Sequence, residues 1–116
     1  MHLYKTALGF SNLSLNDELG FRNVIIDRHE YMHEVYTAGD KDLPHLVALH
    51  GYGGSSLTYV RMFQYLNSEF QVHALDLFGI GLSSRGKWRE DFTREETEAY
   101  YVEAIEEWRK LSLIHI

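Results

Sequence analysis

The chain has 116 residues, which allows one domain at most. Hydrophobic residues make up 45% and charged residues 24%, a composition typical of a folded globular protein rather than a disordered one. The net charge of −6 argues against a nucleic-acid partner, and no apolar run approaches the roughly 20 residues that span a bilayer. Because the chain has no cysteine, it forms no disulfide and no thiolate metal site, and we expect an intracellular, cytoplasmic protein.

Two strand-like segments follow a mixed, polar start. We expect residues 1–20 to be an irregular lead-in. Residues 24–26 and 31–37 are rich in β-branched and aromatic residues and precede a turn-like stretch at residues 38–42, so the pair predicts a β-hairpin. Residues 46–49 are a short continuous apolar run, which is typical of a strand buried on both faces of a parallel sheet.

Two helices and one further strand complete the pattern. Ser55 or Ser56 can cap a helix that runs to about residue 67, with an apolar stripe of Leu57, Val60, Phe63 and Leu66. Residues 70–77 predict the second strand of this kind. The last helix begins at a capping box, Thr93 and Glu96, and its predicted inner face consists of Tyr101, Val102, Ile105 and Trp108. Two strands, each followed by a helix, imply right-handed crossovers and the α/β class.

The strongest functional signal is the turn after residues 46–49, formed by His50, Gly51, Tyr52, Gly53 and Gly54. Glycines allow a tight turn that leaves backbone N–H groups uncovered, and acyl transfer to a serine needs such groups to hold the tetrahedral oxyanion. The alternatives are a βα turn without chemistry and a phosphate site at a helix N-terminus. The turn matches neither the phosphate-loop pattern nor the dinucleotide-binding pattern.

A second turn, Asp-Leu-Phe-Gly-Ile-Gly-Leu-Ser at residues 76–83, follows the next strand. With the first turn, it resembles the α/β-hydrolase superfamily: LVALHGYGGSS and FQVHALDLFGIGLSS are similar to the third strand, oxyanion loop, helix A and fourth strand of that family. YYVEAIEEWRK resembles helix B of the branch that holds lysophospholipase and N-acyl-phospholipid hydrolases, together with lipase-coactivator relatives that have lost the nucleophile. The resemblance covers residues 21–110. It implies an incomplete α/β-hydrolase fold, an N-terminal hairpin plus two β-α units of a mainly parallel sheet, truncated before the nucleophile strand.

The resemblance also implies roles for individual residues. Tyr52 would give one oxyanion-hole hydrogen bond from its backbone N–H, and the residues that shape its loop would be His50, Gly51, Gly53 and Gly54. His50 is expected to organise the loop rather than to act as a base. A loop beside the active-site mouth, structural rather than catalytic, would be built by Asp76, Gly79, Gly81 and Ser83.

The nucleophile, acid and histidine of the family are expected beyond this chain, because none of Ser55, Ser56, Ser83 and Ser84 lies in a G-x-S-x-G sequence. The resemblance therefore implies a parent serine hydrolase that cleaves carboxylic esters, lipids or lysophospholipids, through an acyl-enzyme, while this chain alone is inactive. It implies no metal and no organic cofactor. The expected partner is a small-molecule ester or lipid, and peripheral contact with a membrane or lipid droplet is compatible with such a substrate.

Two alternatives remain open. The first is a nucleophile-less relative that acts as a lipase coactivator or binds lipid. The second is a zinc hydrolase, because residues 29–33, His-Glu-Tyr-Met-His, match the H-E-x-x-H signature. In that signature His29 and His33 lie one helical turn apart and bind zinc while Glu30 activates water. In a strand, the two histidines would be about 13 Å apart, too far to share one ion.

The last six residues, LSLIHI at 111–116, are what CTG-TCT-CTT-ATA-CAC-ATC encodes, the transposon-end adapter of sequencing libraries. We expect them to be adapter-derived read-through and do not assign them to the domain. Sequencing a full-length transcript across the Lys110 codon tests this expectation.

Overall fold

Four strands form one sheet in the computed structural model, which describes residues 19–37, 42–86 and 89–112. The strands are β1 (Leu19–Asp27), β2 (Glu30–Thr37), β3 (His45–Leu49) and β4 (Gln71–Leu75). β1 begins two residues inside the expected lead-in, whose other residues lie outside the described part, as do residues 38–41 and 113–116.

The order of the strands is β1-β2-β4-β3. β1 and β2 pair antiparallel, which confirms the predicted hairpin, and β2 also pairs antiparallel with β4. β3 and β4 pair in parallel along their whole length, from His45 opposite Gln71 to Leu49 opposite Leu75. The predicted α/β class is confirmed, but the described sheet is mixed rather than mainly parallel, because the hairpin joins it through an antiparallel contact.

Helices cover both faces of the sheet. On one face lie a 3-10 helix (Ser56–Met62) and the short helix α1 (Phe63–Leu66), and on the other lies α2 (Arg94–Leu111). The buried core of the first face consists of Leu19, Val35, Val60, Phe63, Val72 and Ala74. That of the second consists of Met32, Leu75, Phe78, Ala104 and Trp108. Successive residues of each strand thus pack into the cores on opposite faces of the sheet, as the two-residue period of a strand requires.

The connection between β3 and β4 was expected to be one helix to residue 67. It is instead mostly 3-10 helix, with one turn of α-helix at its end. Its start is as predicted, because the Ser55 side chain accepts a hydrogen bond from the Leu57 N–H and Thr58 completes a capping box. Its predicted apolar stripe is also confirmed: Val60 and Phe63 are buried, and the two other residues pack against them.

α2 begins where the sequence predicts, since the Thr93 hydroxyl accepts a hydrogen bond from the Glu96 N–H at 3.1 Å. The prediction that Val102 lies on the inner face of α2 is wrong, because this residue is 64% exposed. The buried residues are Ala104 and Trp108, four apart, with Tyr100 packing one turn earlier. Among the described residues, no helix combines the length and the apolarity needed to cross a membrane.

β3 lies at one edge of the described sheet, paired with β4 alone. Its residues were expected to be buried on both faces, but they are only partly buried, and Leu49 is 42% exposed. The outer edge of β3 therefore carries unpaired backbone groups within the described part of the chain, where a further strand can add.

Candidate oxyanion turn and the loop beside it

The two glycine-containing turns lie side by side, because they follow the carboxyl ends of β3 and β4, which are parallel neighbours. The buried His50 ring joins them. Its Nε2 accepts a hydrogen bond from the Leu77 N–H at 3.0 Å, and its Nδ1 lies 3.0 Å from the Gly51 carbonyl oxygen. Both bonds form together only when the neutral ring carries its proton on Nδ1. His50 is thus held at both nitrogens by backbone groups.

A buried carboxylate makes a second connection between the turns. Asp76 Oδ1 accepts a hydrogen bond from the Ser56 N–H at 2.7 Å, and its Oδ2 accepts one from the Leu82 N–H at 3.0 Å. The first donor lies at the start of the 3-10 helix and the second in the loop after β4. Asp76 therefore fixes that helix, and with it the turn after β3, to the neighbouring loop.

Backbone conformation favours glycine at three positions of the site, one of which is Gly79, with φ +82°. Gly53 has φ +77° and Gly81 has φ +58°, which is the left-handed region that side chains disfavour. A Cβ atom on Gly81 would also lie 2.3 Å from Asp76 Oδ2. The loop can close over the Asp76 carboxylate because residue 81 has no side chain.

The two serines after β4 hold their loop against β2. Ser83 Oγ accepts a hydrogen bond from the His33 N–H at 2.7 Å and donates one to the Asp76 carbonyl oxygen. Ser84 Oγ accepts from the Tyr31 N–H at 2.9 Å and donates to the Tyr31 carbonyl oxygen at 3.0 Å. Both hydroxyls form hydrogen bonds with backbone groups of β2. These groups lie beyond Glu34, at which the pairing of β2 with β4 ends.

Tyr52 stands at the tip of the first turn. Its side chain is fully exposed. The turn is closed by a hydrogen bond from the Gly54 N–H to the Gly51 carbonyl oxygen at 3.0 Å. Within the described part of the chain the Tyr52 N–H makes no hydrogen bond. A backbone donor at the carboxyl end of a sheet strand is thus left uncovered, which is the arrangement that can receive a developing oxyanion.

The H-E-x-x-H segment does not form the helix that a zinc protease needs. Glu30 and His33 lie in β2, and His29 lies in the turn before it. His33 Nδ1 is instead 3.0 Å from the Asn23 side-chain oxygen on the neighbouring strand. The described residues contain no group of three side chains placed to hold a metal ion. Because the segment is a turn followed by a strand, the two histidines do not lie one helical turn apart as the zinc signature requires.

Glu34, a fully buried carboxylate in the middle of β2, was not predicted from the sequence. It receives hydrogen bonds from Arg22, His73 and Trp108. One signal was available: alternation along β2 places Glu34 on the same face as Met32, a core residue.

Comparison with known proteins agrees with this architecture. Residues 44–112, more than half of the chain, match the family described as alpha/beta hydrolase fold. The 1-acylglycerol-3-phosphate O-acyltransferase of Arabidopsis thaliana is 43% identical over 83 residues, which are 69% of this chain and 19% of that protein. The (lyso)-N-acylphosphatidylethanolamine lipase of Mus musculus is 36% identical over 70 residues, 60% of this chain and 20% of that protein.

The carboxylesterase CesB of Bacillus subtilis has the same fold, with a TM-score of 0.64 and 24% identity, over 90% of this chain and 34% of that one. The chain spans about a fifth of the length of the curated relatives that it matches. The family match, the two adjoining turns and the structural likeness lead to one assignment, which confirms the resemblance seen in the sequence: this chain belongs to the α/β-hydrolase fold family, in the branch of these lipid-metabolising relatives.

Proposed function

We propose that a full-length protein containing this chain cleaves acyl esters of lipids through a serine nucleophile, with the Tyr52 N–H as one donor of the oxyanion hole. The uncovered Tyr52 N–H at the carboxyl end of β3 is the observation that carries the proposal. The serine, the acid and the catalytic histidine lie outside this chain in the proposal, with the nucleophile at the end of a strand that pairs along the open edge of β3.

The residues around Tyr52 are positioning residues in this proposal. His50 and Asp76 hold the turn by hydrogen bonds to backbone groups, so the Tyr52 N–H is fixed before substrate binds. Gly51, Gly53 and Gly54 provide a turn without bulky side chains, while Gly79, Gly81 and Ser83 shape the neighbouring loop. A donor that is already oriented stabilises the oxyanion without the cost of reorganisation.

Lipid esters are the substrate class that the relatives support. One relative is named an acyltransferase for 1-acylglycerol-3-phosphate and another a lipase for N-acylphosphatidylethanolamine. Both reactions can share one acyl-enzyme: the serine oxygen attacks the ester carbonyl, the lipid alcohol leaves with a proton, and the acyl group is then passed on. Water as acceptor gives hydrolysis and a free fatty acid. The hydroxyl of 1-acylglycerol-3-phosphate as acceptor gives acyl transfer, and the identity to the acyltransferase favours this second candidate.

An assay of the full-length protein with a radiolabelled acyl lipid tests the proposal. We expect release of labelled fatty acid in buffer alone, and we would measure whether added 1-acylglycerol-3-phosphate diverts the label into the diacyl product. Diversion would favour the acyltransferase candidate. If a folded, lipid-binding protein yields neither product, the proposal is wrong, and the nucleophile-less coactivator or lipid-binding relative replaces it.

A further inference from the structure

The buried Glu34 carboxylate is the centre of a hydrogen-bond network that joins four strands and one helix. Its Oε1 accepts from Arg22 Nε of β1 at 2.5 Å and from Trp108 Nε1 of α2 at 3.2 Å. Its Oε2 accepts from His73 Nδ1 of β4. The other nitrogen of that ring, His73 Nε2, lies 2.8 Å from His45 Nδ1 of β3. The network thus reaches every strand of the described sheet.

The Trp108 side chain is the contribution of α2 to this network. It is 1% exposed, donates to Glu34, and packs edge-on against the His73 ring with centroids 5.8 Å apart. Arg22 also lies over the Tyr36 ring at 4.8 Å, so that the guanidinium is held on the same face. The docking of α2 on the sheet therefore depends on groups whose charge can change.

The two histidines limit how many protons the network holds. A nitrogen–nitrogen hydrogen bond needs one proton between its two atoms, so at least one ring must be neutral while the His45–His73 contact exists. A positively charged His73 is compatible with the contact, because its Nδ1–H faces Glu34 and its Nε2–H can donate to a neutral His45. When both rings are charged, two N–H groups face each other and the contact breaks.

We propose that this network is a pH-sensitive latch, which holds α2 on the sheet while one ring of the His45–His73 pair is neutral and loosens it when both rings are charged. Within the described residues, Glu34 of β2 is paired with His73, Arg22 of β1 is paired with Glu34, and the Trp108 indole of α2 packs against the His73 ring. The latch is independent of the function proposed for Tyr52.

The pKa shifts agree in sign with a latch that opens on acidification. Burial, and then the charge of His73, lower the pKa of His45 below its ordinary value of 6.5. The folded chain therefore binds fewer protons than the unfolded chain once the pH falls below 6.5, and stability decreases with falling pH from there. Burial alone would raise the pKa of Glu34, but hydrogen bonds from His73 and Arg22 outweigh burial, and the pKa is lowered. Protonation of this carboxylate therefore causes a second loss of folding stability, at pH values below 4.5.

Trp108 provides a direct readout in the Trp88→Phe variant, where it is the remaining tryptophan. We expect its emission to move to longer wavelength from about pH 7.5 to about pH 5.5, as the indole becomes hydrated. Over the same range, the unfolding constant measured in urea should rise by roughly tenfold.

The His45→Gln variant separates the latch from other titrations. Glutamine keeps a hydrogen bond to His73 Nε2 but does not titrate, so the emission change should be lost in this pH range and the rise in the unfolding constant should be at most about threefold. The remaining rise is assigned to His33 on the other face of the sheet, whose pKa is lowered by burial. The exposed His29 gives the control, His29→Gln, which should behave as the parent.

Two results would overturn the proposal: an emission change in His45→Gln equal to that of the parent, or no change in the parent. Should His45→Gln fail to fold, histidine ring resonances of the unsubstituted chain decide the matter. We expect the His45 resonances to shift over the same pH range as the Trp108 emission. A shift of the His45 resonances with Trp108 unaffected would show that no latch exists.

Discussion

Replacing Tyr52 by proline should lower the kcat of the full-length protein by about 10²- to 10³-fold, the usual cost of removing one oxyanion-hole donor. Proline has no backbone N–H, so the substitution deletes the group that the proposal depends on. Substrate binding in the ground state should change little, because the donor acts on charge that develops in the transition state. Steady-state kinetics with a soluble short-chain ester would measure both quantities.

The matched control is Tyr52→Ala, which keeps the backbone N–H and removes a fully exposed side chain. We expect near-parental kcat and an unchanged unfolding midpoint. Circular dichroism and urea titration must show that the proline variant remains folded. Equal kcat values for a folded proline variant and the alanine variant would mean that this N–H is not an oxyanion donor.

Asp76→Ala should be strongly destabilising. The substitution leaves the Ser56 and Leu82 N–H groups without their carboxylate acceptor. Ser56 is fully buried, and a buried donor without a partner costs about 1–3 kcal/mol, whereas Leu82 is 42% exposed, so its N–H should cost less; we expect a loss of at least about 1–3 kcal/mol. Asp76→Asn should lose less, because its amide oxygen can still accept one of the two hydrogen bonds. The free energy of unfolding in urea measures each loss.

A surface aspartate provides the comparison for Asp76. Asp91 pairs with Arg89, and both side chains are about two-thirds exposed. Because exposed ion pairs contribute at most about 1 kcal/mol, Asp91→Ala should have little effect. If Asp76→Ala were as stable as Asp91→Ala, Asp76 would not be the connection between the two turns that the structure indicates.

Features of the fold that depend on neighbouring residues could be predicted from the sequence. The caps at Ser55 and Thr93, and the apolar stripe through Val60 and Phe63, follow from spacing alone. Val102 was misplaced because α2 carries apolar or aromatic residues on more than one face, and contact with the sheet decides which of them are buried. The antiparallel contact of the hairpin with β4 is a long-range pairing that no local pattern specifies.

The candidate site was predictable as a location, since the carboxyl ends of two parallel strands must meet at one edge of a sheet. The hydrogen bonds that fix it were not predictable, because His50 and Leu77, like Asp76 and Ser56, are distant in sequence. Glu34 shows the same limit: its burial is compensated by Arg22, His73 and Trp108 from three other elements, and only the assembled fold brings these together.

Labelling of the folded full-length protein with a fluorophosphonate, followed by peptide mass spectrometry, tests the oxyanion-turn assignment most directly, because the reagent needs both an activated serine and its oxyanion donors. We expect one adduct, on a serine at the sharp turn that ends the strand after α2. We also expect slower labelling of Tyr52→Pro and unchanged labelling of Tyr52→Ala. A folded protein that takes no label, or takes it on Ser55, Ser56, Ser83 or Ser84, would contradict the account.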